Sequence, residues 1–388
     1  MAKNERLPMP DRLASLDLIA VSVTPKTVWT FVRATGADGV QGIGEATLTG
    51  QETAIAVVAE RAGPGVVQDY ARDAGAIFGT LPFETIAEAS FSSGLMQALR
   101  DLEARQQGVP VASLLGGMQR TAIPTYANIN RRTLDRTPEG FAASVADPLA
   151  AGHQAFKIAP FDDLTPQLDE ADARPLIAAG IARIEAVRDA IGPEKRLMVD
   201  CHWRFRTERA MEAMEALRPV GLYWFECAIP ETDETIPDLV KLRAQANAQG
   251  VLHTGMEMGV LREAFRPYLK AGAYDVMMPD VKYAGGSDEM MRIAEEFAEA
   301  GVTFSPHNPS GPICHAHSLQ LCAALPDEAV LETQYDETPL FDELVGQALP
   351  QANGGIVTLD SSLAGIGVSL ANPVLEALQA KVLWQAGA

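Results

Sequence analysis

RLMVDCHWRF, residues 196–205, runs from a mostly apolar, strand-like stretch into a carboxylate, Asp200. YWFECAIP (223–230) does the same 26 residues later with Glu226, and LHTGMEMG (252–259) does it again, 31 further on, with Glu257. A repeat of this kind sets the three acids side by side at one rim of a parallel sheet. Three crowded carboxylates repel one another and resist desolvation unless a divalent cation shares them. Their hard oxygen donors suit Mg2+ or Mn2+ and leave coordination positions open for water and substrate.

The same rhythm extends in both directions. Strand-like runs end near Ile129, Pro160, His202, Ile229, Glu257, Asp280, Asn308 and Gln334, and helix-like stretches such as GIARIEAVRDAIG, TIPDLVKLRAQANAQG and DEMMRIAEEFAEAG lie between them. Eight strands with intervening helices describe an α/β chain folded as a (β/α)8-type barrel, whose chemistry gathers at the C-terminal strand ends. Upstream, DLIAVSV, TVWTFVRA and GVQGIGEA read as an antiparallel meander. QETAIAVVAERAG, PFETIAEASF and SGLMQALRDLEARQQG then space their apolar residues as amphipathic helices do.

The expected division is therefore an α+β capping unit over residues 1–120, a barrel over 121–338, and a segment over 339–388 that closes the barrel and returns to the cap. In that segment NPVLEALQAKVLW reads as a final helix. The acid-rich FDDLTPQLDEADARP, which lengthens the interval between Lys157 and Asp200, reads as a solvated loop, with a lid over the site as the sharper alternative.

A chain of 388 residues with 47% hydrophobic residues can bury two cores. Its formal charge of −20 argues against nucleic acid or an anionic membrane as partner, while a bound cation would still attract a small carboxylate. No run of 18 apolar residues occurs, and MAKNERLPMPDR has no apolar leader core, so a cytosolic location is the expectation. Cys201 and Cys227 directly follow two of the acids, where a thiolate ligand or nucleophile is one reading; without zinc-type spacing the favoured one is small core residues alternating away from the site.

Further strand ends supply the remaining chemistry. Asp280 in MPDVKYAGG and His307 in SPHNPSGPI sit on neighbouring strands, where the acid orients the imidazole and raises its basicity for general-base work. Glu332 in VLETQ is placed to donate to a developing oxyanion if its pKa is raised. Lys157 ends the second strand, where an ammonium would neutralise a substrate carboxylate. His202 lies two residues past Asp200, on the same side at a strand period of two, as a second acid or base or as a polar wall. His153, His253, His315 and His317 read as surface or core residues; Arg131, Arg132, Arg204 and Arg206 read as substrate grips or plain surface charge.

Taken together, GIGEA, SGLMQALRDLEARQQGVPVASLLGG, the VD, FE and GME strands, MPD…GG and SPHNPSGPI resemble the enolase superfamily, and within it the mandelate racemase subgroup, over nearly the whole chain. The resemblance implies an α+β cap over a modified (β/α)7β barrel, Mg2+ held by Asp200, Glu226 and Glu257, the His307–Asp280 pair as base, and Glu332 as the acid that stabilises an enediolate. It also implies a homo-oligomer, since relatives are commonly dimers or octamers.

Two departures narrow it. FKIAP has Lys157 but Ala159 in place of the second lysine that gives relatives an opposite-face base, and Asp200-Cys201-His202 is similar to the Asp-x-His of acid sugar dehydratases. The expected reaction is dehydration of an α,β-hydroxy acid to a 2-keto-3-deoxy acid, with a carboxylate racemase or epimerase and a non-catalytic acid-binding relative as alternatives. VTPKT, between the first two cap strands, is short in a region that helps relatives select substrate.

Overall fold

The structure, a computed structural model, describes residues 13–69, 77–346 and 349–387; residues 1–12, read as having no apolar leader core, fall outside them. Three strands, β1 (Leu13–Thr24), β2 (Thr27–Gly36) and β3 (Gln41–Glu45), form the expected antiparallel meander. Against it pack α1 (Glu52–Asp69) and α2 (Ile86–Gln107). Thr85 and Glu88 close a capping box at the start of α2, and Gly108 ends it at φ 67°. The glycines of GIGEA permit this contact: a Cβ on Gly42 would fall 2.2 Å from Ala98 O, and one on Gly44 1.9 Å from Gly94 O.

The second sheet holds eight parallel strands in the order β10-β9-β8-β7-β6-β5-β4-β11. They are β4 (Ala122–Asn128), β5 (Ala155–Ile158), β6 (Arg196–Asp200), β7 (Trp224–Glu226), β8 (Leu252–Gly255), β9 (Val276–Met277), β10 (Thr303–Phe304) and β11 (Leu331–Gln334). The chain is thus a modified (β/α) barrel with an N-terminal α+β unit. Between β10 and β11 the junction is made by side chains: Ser305 Oγ donates to Val330 O at 2.7 Å and Asn308 Nδ2 to Glu332 O at 2.9 Å.

Two sequence expectations change. The stretch 372–384 is a helix only over Asn372–Ala377; Gln379 turns the chain at φ 53°, and Lys381–Gly387 becomes a strand paired antiparallel with β1. A vacant sheet edge there overrides the local helical pattern. The solvated loop 161–175 is also shorter than expected, because Asp169 caps a helix over Glu170–Ile191. What remains is tied down: Arg204 donates to Leu164 O, Arg206 to Pro166 O and Arg209 to Leu168 O. These anchors speak against a mobile lid and account for Arg204 and Arg206. Arg131 and Arg132 likewise pair with Glu337 and Asp147 at 2.8 and 2.6 Å. No helix among the described residues is long and apolar enough to cross a membrane.

The cap grips the barrel beside the strand ends. Glu45, at the end of β3, accepts from the backbone N–H of Gly311 and Cys314, both at 2.8 Å, at the start of the helix Pro312–Ala324 that follows the His307 loop. Gln97 of α2 donates to Val281 O at 3.0 Å, one residue beyond Asp280. All four histidines left without a role are buried. His253 donates to Ala273 O and His317 to Ile43 O, while His315 Nδ1 faces Asn308 Nδ2.

Burial lowers His253, His315 and His317 from 6.5 to about 4. The unfolded chain therefore binds more protons between those values, and stability is expected to fall as pH drops through that window, each ring contributing about 1.4 kcal/mol per pH unit there. Urea midpoints at pH 7, 6 and 5 measure this; a midpoint that does not move would exclude it.

Candidate active site

Strand register explains part of the clustering. Asp200 and Glu226 are direct partners across β6 and β7, and Lys157 faces Asn128 of β4 across the β4–β5 pair. Glu257 differs from the sequence reading: Thr254 is the residue level with Glu226, and Glu257 lies beyond the end of β8, delivered by Met256 at φ 70°. His202 also leaves the strand period. It follows the end of β6 in a left-handed pair with Trp203 (φ 47° and 56°). Its backbone N–H donates to Asp200 Oδ1 at 2.8 Å, and its Nε2 lies 2.7 Å from Asp200 Oδ2.

Left-handed backbone at non-glycine residues costs of order 1–3 kcal/mol each and persists only where surroundings enforce it. Here His202, Trp203, Cys227 and Met256 share it around one cluster. Glu231 supplies the enforcement. Half-buried, it accepts from Trp203 Nε1 at 3.0 Å, Met256 N at 2.7 Å and Tyr274 OH at 2.7 Å. Sequence reading missed Glu231, although CAIPETDE places an acid just past the β7 ligand run.

Cys227 overturns its reading as a residue facing away from the site. With φ at 45° it escapes strand alternation, and its Sγ lies 3.9 Å from Glu257 Oε2. One donor atom each from Asp200, Glu226 and Cys227 lie within 4.8 Å of one another. Glu257 is not in that trio; its Oε2 meets His307 Nε2 at 3.3 Å.

Opposite the acids, Lys157 Nζ lies 2.8 Å from both Glu226 Oε1 and Glu332 Oε1, all three side chains buried. His307 Nδ1 lies 2.8 Å from Asp280 Oδ2, so the carboxylate fixes the tautomer that leaves Nε2 to the cavity side. Lys282 Nζ reaches the same Asp280 oxygen at 3.2 Å. Glu332 accepts from Asn128 Nδ2 at 2.7 Å and from Asn308 N at 2.9 Å. Asn128 and Asn308, strand-end amides beside residues already singled out, carried no distinguishing signal in the sequence.

The electrostatics separate the acids. Burial would raise Asp200, but the His202 ring and then Lys157 hold it down at about 2. Burial pushes Glu226 up to about 8; Lys157 offsets this only partly, and Asp200 reinforces it. Glu257 is driven well above the carboxyl range by burial and by Asp200 and Glu226. Two acids forced toward neutrality beside an ionised third describe a pocket short of positive charge. Glu226 Oε2, buried and without a hydrogen-bond partner, points the same way. The donor set therefore fits a divalent cation. Glu332, in contrast, is held below its usual value: burial raises it, but Lys157 and His307 prevail. The condition for it to act as a proton donor is not met, because every group around it donates.

Comparison with known proteins agrees with this architecture. The family model for the mandelate racemase / muconate lactonizing enzyme N-terminal domain matches residues 12–116, and the model described as enolase C-terminal domain-like matches residues 140–374. D-gluconate dehydratase of Thermoproteus tenax is 31% identical over 76% of this chain, which spans 57% of that relative's length. D-xylonate dehydratase of Haloferax volcanii is 28% identical over 90% of this chain and 85% of its own. A solved enolase-superfamily member from Salmonella Typhimurium superposes with a TM-score of 0.84 at 20% identity, covering 97% of this chain and 99% of its own. The chain belongs to the mandelate racemase / muconate lactonizing enzyme family of the enolase superfamily.

Proposed function

We propose that the chain is a Mg2+-dependent hydro-lyase that dehydrates an acid sugar, or a related α,β-hydroxy acid, to a 2-keto-3-deoxy acid. The observation that carries this reading is the pairing of His307 with Asp280 at 2.8 Å beside a cation-deficient carboxylate cluster, with the half-exposed ring of His202 at that cluster's other side. The dehydratase relatives support the same reaction class.

In this reading Asp200, Glu226 and Glu257 hold the cation, with Mn2+ as a substitute. Bound there, a divalent cation lowers the cost of charge on a substrate carboxylate. His307 removes the α-proton through Nε2, and Asp280 keeps the ring oriented and stabilises the imidazolium. Lys157 faces the growing negative charge, its ammonium held by Glu226 and Glu332. Glu332 acts by orienting Lys157 and Asn308 rather than by giving a proton. His202, or His307 acting again, protonates the departing β-hydroxyl, which leaves as water; the resulting enol then gains a proton at the β-carbon and loses its hydroxyl proton to solvent, becoming the keto acid. The Lys157 protons are already committed to two carboxylates, which disfavours an epimerase that uses it as the opposing base.

Proton NMR of the protein with Mg2+ in D2O, against aldonic, aldaric and smaller hydroxy acids, tests this. The expected result is loss of one substrate with appearance of a 3-deoxy methylene. Deuterium at the α-carbon without water loss would instead indicate an epimerase, and no exchange with any acid would favour a non-catalytic binder.

A further inference from the structure

Cys227 links the two parts of the proposed cation site. Its Sγ shares a 4.8 Å group with oxygens of Asp200 and Glu226 and lies 3.9 Å from Glu257 Oε2, which is outside that group. With metal–sulfur bonds of about 2.3 Å and metal–oxygen bonds of about 2.1 Å, the sulfur–oxygen edge of a tetrahedron is about 3.6 Å. The 3.9 Å separation lies close to that edge without any movement of the backbone. A second, independent sign of a missing ligand is Glu226 Oε2, buried and unpartnered on the adjacent residue. The left-handed turn at Cys227, braced by Cys227 N donating to Thr254 O at 3.0 Å and Cys227 O accepting from Trp203 N at 2.6 Å, is what holds the sulfur there. A serine or alanine would meet the same backbone demand, so conformation alone does not call for sulfur.

We propose that Cys227 is a thiolate ligand for thiophilic divalent cations, so that this site takes Zn2+ or Co2+ in a mixed sulfur–oxygen set with Asp200, Glu226 and Glu257. This rests on reading the carboxylates as a cation site. Hard ions such as Mg2+ use the oxygens and leave the thiol bonded to Glu257, whereas borderline ions gain from sulfur. On binding, the S–H bond breaks, a metal–sulfur bond forms, and the proton leaves to solvent; nothing is oxidised or reduced.

The test is titration of chelator-treated protein with Co2+, followed by absorption. Wild type is expected to develop a thiolate-to-cobalt charge-transfer band in the near ultraviolet together with strong visible bands of a tetrahedral ion. C227S is expected to bind Co2+ without the charge-transfer band and to bind Zn2+ at least about tenfold more weakly, with C227A as a second variant and far-ultraviolet circular dichroism as the check on folding. Co2+ binding to wild type without the band, or a band that survives in both variants, would overturn the thiolate ligand and leave the carboxylate site standing. Absence of Co2+ binding would overturn both. A Cys227-dependent band untouched by E226Q would place the ion elsewhere and remove the carboxylate reading as well.

Discussion

His307→Asn is expected to lower kcat by about 10²- to 10⁴-fold while Mg2+ still binds. Asparagine is close to the imidazole in reach and remains polar, so it can keep a hydrogen bond to Asp280, the buried partner at 2.8 Å. It has no basic nitrogen. The affected quantity is thus removal of the α-proton, not assembly of the site, because the proposed cation ligands come from the ends of other strands and the turn after β8. Turnover of the substrate identified by NMR, combined with calorimetric titration of Mg2+, reads the two effects separately. Activity within tenfold of wild type would remove His307 as the base. Loss of Mg2+ binding in parallel would instead mean that the 3.3 Å contact between His307 Nε2 and Glu257 is structural.

The second large effect is expected from Lys157→Met. The lysine is 1% exposed, with Nζ 2.8 Å from each of two fully buried carboxylates and 5.6 Å from the Tyr126 ring. Methionine fills most of the volume but leaves Glu226 and Glu332 facing each other uncompensated. Removing one partner of a buried ionic group costs about 3–5 kcal/mol, because the remaining charge stays desolvated. Urea unfolding at pH 7 measures this, and a loss below 1 kcal/mol would show that the ammonium is not what stabilises the pair. The same variant is expected to lose turnover, since among the described residues Lys157 is the cation paired with both Glu226 and Glu332.

The sequence alone determined which candidate residues stand at the strand ends and the type of barrel that presents them. Both are local properties. A βα rhythm is visible in periodicity, and a polar residue at the end of an apolar strand lands at the rim whatever the rest of the chain does. Asp200, Glu226, Asp280, His307, Glu332 and Lys157 were legible for that reason.

Only the tertiary structure decided what happens just past the strands. At His202, Trp203, Cys227 and Met256 the backbone turns left-handed, which period-two reasoning cannot anticipate, and a thiol read as facing away is thereby turned toward the acids. The contacts that assemble the rim around those turns reach far along the chain. Glu231 meets Tyr274 43 residues away, Asn128 meets Glu332 across 204, and Glu45 of the cap meets Gly311 across 266. Lys381–Gly387 is a strand for the same reason, since β1 offers an open edge that local propensity does not encode. Such contacts are fixed by which surfaces meet after folding, and the residues that make them look ordinary until they do.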